Sequence, residues 1–197
     1  MISSAEALRR LRDGNRRFVA GASSINDALS AARRAELVDG QNPFAVILAC
    51  SDSRVPVELV FDQGLGDLFV IRVAGNIVAP SQVGSVEFAT ANLGAKLVVV
   101  LGHSNCGAVD ATLKELAQEE ATRSPNLRSI VDRIRPALEA LDNPSLQDAV
   151  VANVHRSVDR LRHGSTILEE LVGSGELTIV GAEYTLESGV VTFLDAP

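Results

Sequence analysis

Residues 44–54 read FAVILACSDSR, and residues 97–106 read LVVVLGHSNC. Each stretch opens with an uninterrupted apolar run of strand length and then turns polar. Apolar runs without alternation are typical of strands buried on both faces, as in a parallel sheet that helices cover. The sequence contains four runs of this kind, which we predict as strands: residues 44–49, 68–73, 97–101 and 177–180.

Helical stripes of apolar residues separate and follow the predicted strands. One stripe lies between the second and third strands, another follows the third, and two more cover residues 127–141 and 151–161. Pro136 is expected to kink or interrupt the first of these last two. Alternating strands and helices are typical of an α/β fold in which helices cover both faces of one sheet. The predicted fold class is therefore α/β, with a mostly parallel central sheet flanked by helices.

A helical arm is predicted at the N-terminus, ahead of the sheet. A capping-box pattern that starts at Ser3 begins an amphipathic helix, which extends to about Arg17. No linker, internal repeat or change in composition marks a second domain. We therefore expect a single domain over residues 1–197, with residues 1–40 as the N-terminal helical arm and residues 41–197 as the α/β core.

The composition bears on several classes of function. The chain has 197 residues, of which 46% are hydrophobic and 22% charged, as in ordinary globular proteins. No stretch approaches the ~20 consecutive apolar residues of a membrane span, and the first residues lack the apolar core of a signal peptide. The net charge of −7, without a run of Lys or Arg, opposes binding to nucleic-acid phosphates. We expect a cytoplasmic protein whose partners are neither nucleic acids nor membranes.

Residue types that bind metals follow two of the predicted strands. Cys50 and Asp52 come directly after the first strand, and His103 and Cys106 come directly after the third. The carboxyl ends of neighbouring parallel strands meet at one edge of a sheet, where ligands bind in open α/β folds. Two thiolates and an imidazole suit the tetrahedral preference of Zn²⁺. The sequence therefore predicts a zinc site on Cys50, His103 and Cys106.

Other interpretations of these residues are open at this point. A single buried cysteine is often a small apolar residue, and a loop histidine is often an ordinary polar one. A purely structural zinc would need Asp52 as a fourth ligand that closes the coordination shell. A thiol redox protein would use Cys50 and Cys106, which lack the C-x-x-C spacing. Arg54 favours catalysis, because a bidentate ion pair with Asp52 would keep that carboxylate away from the metal.

An open fourth position on zinc would make attack by hydroxide available. Zinc lowers the pKa of a bound water from ~15.7 to about 7, so that zinc-bound hydroxide exists at neutral pH. We expect Asp52 to accept a hydrogen bond from this hydroxide and to orient it towards an electrophilic carbon, while Arg54 holds Asp52 in place. Asp52 and Arg54 are therefore the predicted catalytic residues.

Two longer stretches resemble the β-class carbonic anhydrases: ACSDSRVPVELVFDQGLGDLFVIRVAGN at residues 49–76 and VVVLGHSNCGAV at residues 98–109. The resemblance extends to GNRRFVAG at residues 14–21 and to IVGAEYTLESGVVTF at residues 179–193. It implies a lyase, a carbonate dehydratase, that reversibly hydrates carbon dioxide to bicarbonate and a proton with the cofactor Zn²⁺. A rival on the same scaffold would hydrolyse carbonyl sulfide or carbon disulfide instead.

The resemblance also implies roles for the residues of the predicted site. Zinc would lie on Cys50, His103 and Cys106, beside a dyad of Asp52 and Arg54. Asp52 would bind the metal only in a closed form. These roles agree with the chemistry inferred above from the residues themselves.

An assembly of several copies is implied by the same resemblance. The relatives are homodimers or dimers of dimers, which are tetramers, and residues of both chains line each active site. By position, Gln41 corresponds to a polar substrate contact, Phe69 and Phe88 to an apolar pocket wall, and Gly102 to a backbone contact. Core packing explains the two phenylalanines equally well, and a turn would explain Gln41.

Regulation is predicted to depart from that of some relatives. In those proteins the counterpart of Asp52 moves onto zinc at low pH, and a bound bicarbonate stabilises the inactive form. Arg72 and Tyr184 resemble two residues of that bicarbonate site, but Ile47 stands where a tryptophan is expected. We therefore expect no inhibition by a bicarbonate bound at such a regulatory site. A simple pH response should arise instead from competition between zinc-bound hydroxide and Asp52.

Overall fold

The computed structural model describes residues 2–23, 25, 30–117 and 124–194. The strands within these ranges are β1 Ala45–Ala49, β2 Leu68–Arg72, β3 Leu97–His103, β4 Thr178–Tyr184 and β5 Val191–Phe193. The α-helices are α1 Ser4–Val19, α2 Ala31–Glu36, α3 Val57–Val60, α4 Pro80–Glu87, α5 Gly107–Leu116, α6 Pro125–Leu138, α7 Leu146–His163 and α8 Thr166–Gly173. A short 3₁₀ turn covers Ala74–Asn76, and a π-helical turn, Phe88–Asn92, continues α4. In the described ranges, no helix has both the length and the apolar character needed to span a membrane.

The five strands form one sheet in the order β2-β1-β3-β4-β5. β1 to β4 are parallel to their neighbours, and β5 alone is antiparallel to β4. The predicted fold class, an α/β domain with a mostly parallel sheet, is confirmed. β5 was not predicted, because three residues are too few to produce a recognisable period.

The register of the two central strands positions the predicted site. β1 and β3 lie side by side, and Ala49 pairs with Leu101. Cys50 therefore lies level with Gly102, one residue before His103. The polar ends of the two strands meet at the carboxyl edge of the sheet, as their sequences predict.

Helices cover both faces of this sheet. Ile47 and Leu48 are fully buried on β1 and belong to different apolar clusters, as the alternation of side chains along a strand requires. One cluster joins the sheet to α1 and α3, and the other joins it to α4, α7 and α8. A third cluster lies at the carboxyl edge, where side chains of α5, α6 and α7 surround Cys50 and Cys106. The predicted site is thus enclosed by protein on its inner side.

β2 departs from its prediction as a strand buried on both faces. It pairs with β1 on one side, and in the described part of the chain no strand pairs with its other side. Leu68, Phe69 and Val70 are consequently only half-buried. The apolar run of β2 therefore presents an unpaired, partly exposed edge within a single chain.

Two helix signals in the sequence can be compared with the structure. Pro136 lies inside α6, only two residues before its end at Leu138, so the helix is interrupted there, which is one of the two effects predicted for this proline. At the start of α1 the Ser3 hydroxyl accepts a hydrogen bond from the Glu6 N–H. The Glu6 carboxylate pairs with Arg9 and Arg10, so of the two capping-box contacts the described structure shows only the one made by the Ser3 hydroxyl.

α1 packs closely on the core of its own chain. The Asn15 side chain donates to the Gly189 carbonyl over 2.8 Å and accepts from the Val191 N–H over 2.9 Å. A Cβ atom at Gly14 would lie only 1.8 Å from the Phe61 carbonyl oxygen, so only glycine fits where α1 contacts the backbone at the end of α3. These contacts fix the helix against the sheet and β5.

Candidate metal centre

Three potential metal ligands converge at the carboxyl edge of the sheet. Cys50 directly follows β1, His103 is the last residue of β3, and Cys106 is the N-cap residue of α5. The Sγ atoms of both cysteines and a ring nitrogen of His103 all lie within 4.8 Å of one another, and all three residues are buried. Sulfur and nitrogen ligands of a tetrahedral zinc, at ~2.3 and ~2.0–2.1 Å from the ion, lie roughly 3.5–3.8 Å apart. The structure therefore brings together three residues that can hold such an ion.

The His103 ring is oriented as a metal-binding imidazole requires. Its Nδ1 lies 2.9 Å from the Ser104 carbonyl oxygen and can only donate to it, so the proton of the neutral ring sits on Nδ1. Nε2 then carries the lone pair. The side chain is fully buried, and Nε2 has no hydrogen-bond partner among the described residues. A buried acceptor without a partner is costly, and a cation bound between the cysteines would satisfy it.

The two thiols differ in acidity because they share one proton. A hydrogen bond with Cys106 lowers the pKa of Cys50, against the opposing effect of burial. The hydrogen bond to Cys50, together with burial, raises the pKa of Cys106 far above its usual value. Loss of one proton from the pair is thus favoured over loss of both. A divalent cation would displace the remaining proton and bind both thiolates.

Asp52 and Arg54 form a bidentate ion pair beside these residues. Nε of Arg54 donates to Oδ1 of Asp52 over 2.9 Å, and a terminal nitrogen donates to Oδ2 over 2.7 Å. The Arg54 guanidinium holds the pKa of the Asp52 carboxyl well below its usual range, so Asp52 is anionic at neutral pH. The same guanidinium reaches the Asn105 carbonyl over 3.3 Å, which ties the two loops together.

The anionic Asp52 lies next to the candidate metal ligands. Its Oδ2 is 3.8 Å from Nε2 of His103. Both carboxylate oxygens point at Arg54, as expected if the arginine keeps this group from closing a coordination shell.

Arg72 clamps the loop that carries Cys50 and Asp52. From the end of β2 it donates to the Cys50 carbonyl over 3.1 Å and to the Asp52 carbonyl over 2.6 Å. The resemblance compares Arg72 with a residue of a bicarbonate site, and within the chain its contacts are to this loop. The register explains them, because Arg72 pairs with Ala49, the residue just before Cys50.

The predicted pocket residues lie in different parts of the chain. Phe69 and Phe88 contact one another, with ring centroids 6.2 Å apart, and Phe69 pairs with Val46, four residues before Cys50 on β1. Gln41 lies in a shallow groove together with Leu37 and Gly66. Gly102 alone adjoins the site, next to His103 on β3. Within one chain, the structure does not bring Gln41, Phe69 and Phe88 to the metal ligands.

Tyr184 and Ile47, which the resemblance compares with a bicarbonate site, both lie on central strands of the sheet. Tyr184 pairs with His103 across β3 and β4, and burial raises the pKa of its hydroxyl. Ile47 is fully buried within β1. Its side chain is thus part of the apolar core.

One contact to the candidate ligands is not predicted from the sequence. The Gly75 N–H donates to Sγ of Cys50 over 3.3 Å. Gly75 adopts a left-handed conformation, with φ +70°, in the turn after β2. The signal in the sequence is a glycine two residues after the predicted strand 68–73, which indicates a special backbone conformation but not its contact.

The chain is similar to known proteins over most of its length. A family model described as carbonic anhydrase matches residues 45–191. A carbonic anhydrase of Mycolicibacterium smegmatis is 40% identical over 188 residues, which cover 94% of this chain and 90% of that protein. Carbonic anhydrase 2 of Mycobacterium tuberculosis is 40% identical over 192 residues, 96% of this chain and 92% of that protein.

Solved structures show the same fold. The β-carbonic anhydrase CcaA superposes with a TM-score of 0.73 at 29% identity, over 95% of both chains. The β-carbonic anhydrase CafA of Aspergillus fumigatus does so with a TM-score of 0.72 at 28% identity, over 82% of this chain and 80% of its own. The chain belongs to the carbonic anhydrase family of lyases, in its β class.

Proposed function

We propose that this protein catalyses the reversible, zinc-dependent hydration of carbon dioxide to bicarbonate and a proton. Cys50, His103 and Cys106 are the proposed zinc ligands, and Asp52 and Arg54 the proposed catalytic residues. Membership of the family supports the reaction. The observation that carries the proposal for this chain is the buried Nε2 of His103, which has no partner in the described structure and shares one site with two thiols.

Zinc is proposed because of the chemistry of the donor atoms. Two thiolates and one imidazole give a set that zinc prefers, and hard ions such as Mg²⁺ take oxygen ligands instead. The Nδ1 contact to Ser104 fixes the tautomer of His103 and directs the other nitrogen at the ion. Three protein ligands leave one place for solvent, as catalytic zinc sites require.

Bound zinc would supply a water molecule whose pKa is lowered to about 7, a nucleophile at neutral pH. The residues of the chain would orient this nucleophile. Asp52 remains anionic beside Arg54, so its Oδ2 can accept a hydrogen bond from the water but cannot donate one. That restriction turns a lone pair of the water towards the carbon of the substrate.

Arg54 and Arg72 are proposed to hold this geometry from two sides. Arg54 binds both oxygens of Asp52, and Arg72 binds the backbone carbonyls on either side of Ser51. Asp52 could become a metal ligand, as in a closed form, only by giving up its hydrogen bonds to Arg54. We therefore propose that the open form dominates at neutral pH.

A second copy of the chain is proposed to complete the substrate pocket. Phe69 is half-buried on β2, the strand whose outer side is unpaired in the described chain. Phe88, in the turn that continues α4, is 48% exposed. A partner chain that covered this edge would bury both rings, and it could present its own Phe69, Phe88 and Gln41 to the site. The proposed assembly is a homodimer or a dimer of dimers, located in the cytoplasm, where cysteines stay reduced.

The decisive experiment compares carbon dioxide hydration by wild type and by Asp52→Asn, with zinc measured in both. The amide is nearly isosteric but can donate a hydrogen bond, so it no longer restricts the orientation of the water. We expect the variant to retain zinc and to lose activity by about 100-fold or more, within the range that positioned groups contribute. Full activity in a zinc-loaded variant would refute the role of Asp52.

A further inference from the structure

Two polar residues interrupt the buried face of α7. Asn153 and Ser157 are only 2% and 3% exposed, although they lie among apolar residues such as Val150 and Val154. They are four residues apart and therefore share one side of the helix. Burying an amide or a hydroxyl in an apolar layer is unfavourable unless each finds a hydrogen-bond partner. The partners of these two side chains consequently indicate what they do.

Both side chains bind the turn Ala74–Asn76. Nδ2 of Asn153 donates to the Gly75 carbonyl over 2.8 Å, and the Ser157 hydroxyl donates to the Asn76 carbonyl over 3.1 Å. Two successive carbonyls of the turn are thereby fixed to one helix.

The same turn contacts the candidate metal centre on its other side. The Gly75 N–H donates to Sγ of Cys50 over 3.3 Å. A Cβ atom at Gly75 would lie 2.8 Å from Cδ1 of Ile134 and 3.1 Å from Cβ of Ala108, so the turn is also confined by α6 and α5. A continuous path of contacts therefore leads from Asn153, through one glycine, to Cys50.

We propose that Asn153 is a positioning residue for the metal centre, which aims the Gly75 N–H at the Cys50 sulfur. This inference rests on the proposed metal site. An N–H···S bond fixes the direction of the sulfur lone pairs and withdraws charge from them, and outer hydrogen bonds of this kind tune how tightly a ligand holds its metal. Ser157 holds the neighbouring carbonyl and has a smaller part.

The test uses cobalt(II) as a spectroscopic probe in the full-length protein. Its sulfur-to-metal charge-transfer band reports the electron density on the thiolates. In Asn153→Leu, loss of the N–H···S bond should move this band to lower energy and weaken cobalt affinity, measured against a competing chelator, by about 10-fold or more. Asn153→Ser, too short to reach Gly75, should show the same changes and serves if the leucine variant does not fold.

Val158→Ala is the matched control, because it weakens the packing of the same helix without touching the turn. It should lower the unfolding midpoint while leaving the band and the affinity as in wild type. Wild-type band position and affinity in a folded Asn153 variant would overturn the proposal, as would equal shifts in Val158→Ala.

A measurement on the unmodified protein adds an independent check. In the metal-loaded wild type, amide hydrogen exchange at Gly75 should be slow, because its N–H is bound to Cys50. Exchange at the rate of an open amide would contradict the proposal. None of these readouts uses catalysis, so failure of the positioning role is distinguishable from failure of the proposed enzyme activity, and a protein that binds no metal would instead refute the metal centre.

Discussion

The carboxyl edge of β1 and β3 and the free edge of β2 differ in how complete they are within one chain. At the first, Cys50, His103 and Cys106 are buried and surrounded by hydrogen bonds from the same chain. At the second, Phe69 and Phe88 remain partly exposed, and Phe69 pairs with Val46, four residues before Cys50. One chain therefore brings the candidate metal ligands together alone, whereas the substrate pocket that we propose needs a second copy.

The largest expected effect comes from removing one of the three candidate metal ligands. In Cys106→Ala the site loses a thiolate, so we expect less than one tenth of the wild-type zinc content and a loss of hydration activity of about 1000-fold or more. Metal analysis and a stopped-flow assay measure both. Lys114→Ala, on the solvent side of the same helix, is the control and should retain both.

A second change leaves the metal ligands in place and releases Asp52. In Arg54→Gln the carboxylate loses its bidentate partner, and the pKa of Asp52 should rise towards its ordinary value. We expect roughly 10- to 100-fold lower activity at neutral pH with zinc content unchanged.

The structure also predicts the direction in which the pH profile of activity shifts in Arg54→Gln. The depressed pKa keeps Asp52 ionised in wild type, so its contribution persists as the solution is acidified. In the variant this contribution should disappear at a higher pH, because protonation occurs at a higher pKa. A variant whose acid limb coincides with that of wild type would contradict the role of the ion pair.

A charge introduced at Phe88 tests the proposed interface at the free edge of β2. Phe88→Glu places a carboxylate where we propose that a partner chain packs, and desolvating it there is unfavourable. We expect a shift from dimer to monomer in analytical ultracentrifugation and roughly a 10-fold loss of activity, with zinc retained. The matched control is Leu127→Glu, an exposed apolar residue on α6, and a dimer that survives Phe88→Glu would place the interface elsewhere.

The smallest effect concerns bicarbonate. Because Ile47 is fully buried where a bicarbonate site would need tryptophan, we expect bicarbonate to act only as a product, with simple hyperbolic inhibition. Initial rates of hydration over a bicarbonate series measure this. A cooperative loss of activity would show that Arg72 and Tyr184 form a regulatory site without tryptophan.

The sequence predicts those features that depend on short segments. The apolar runs before Cys50 and His103 predict buried parallel strands, and the rule for strand ends brings their ligands together. The spacing of Asp52 and Arg54 likewise predicts the ion pair that the structure contains. Each of these follows from neighbouring residues together with one general property of parallel sheets.

Features that depend on distant contacts could not be predicted in this way. β5 has three residues and forms only because β4 offers an edge, and the half-burial of β2 depends on its place in the strand order. The contact between Asn153 and Gly75 joins residues 78 positions apart. A polar residue in an apolar helical stripe indicates that such a hydrogen bond exists, but the sequence does not show which residue is its partner.

Zinc coordination by Cys50, His103 and Cys106 is tested most directly by X-ray absorption at the zinc edge of the purified protein. We predict one zinc per chain with two sulfur neighbours at ~2.3 Å and light-atom neighbours, nitrogen and oxygen, at ~2.0–2.1 Å. A spectrum without sulfur neighbours, or a fully active protein without zinc, would contradict the account.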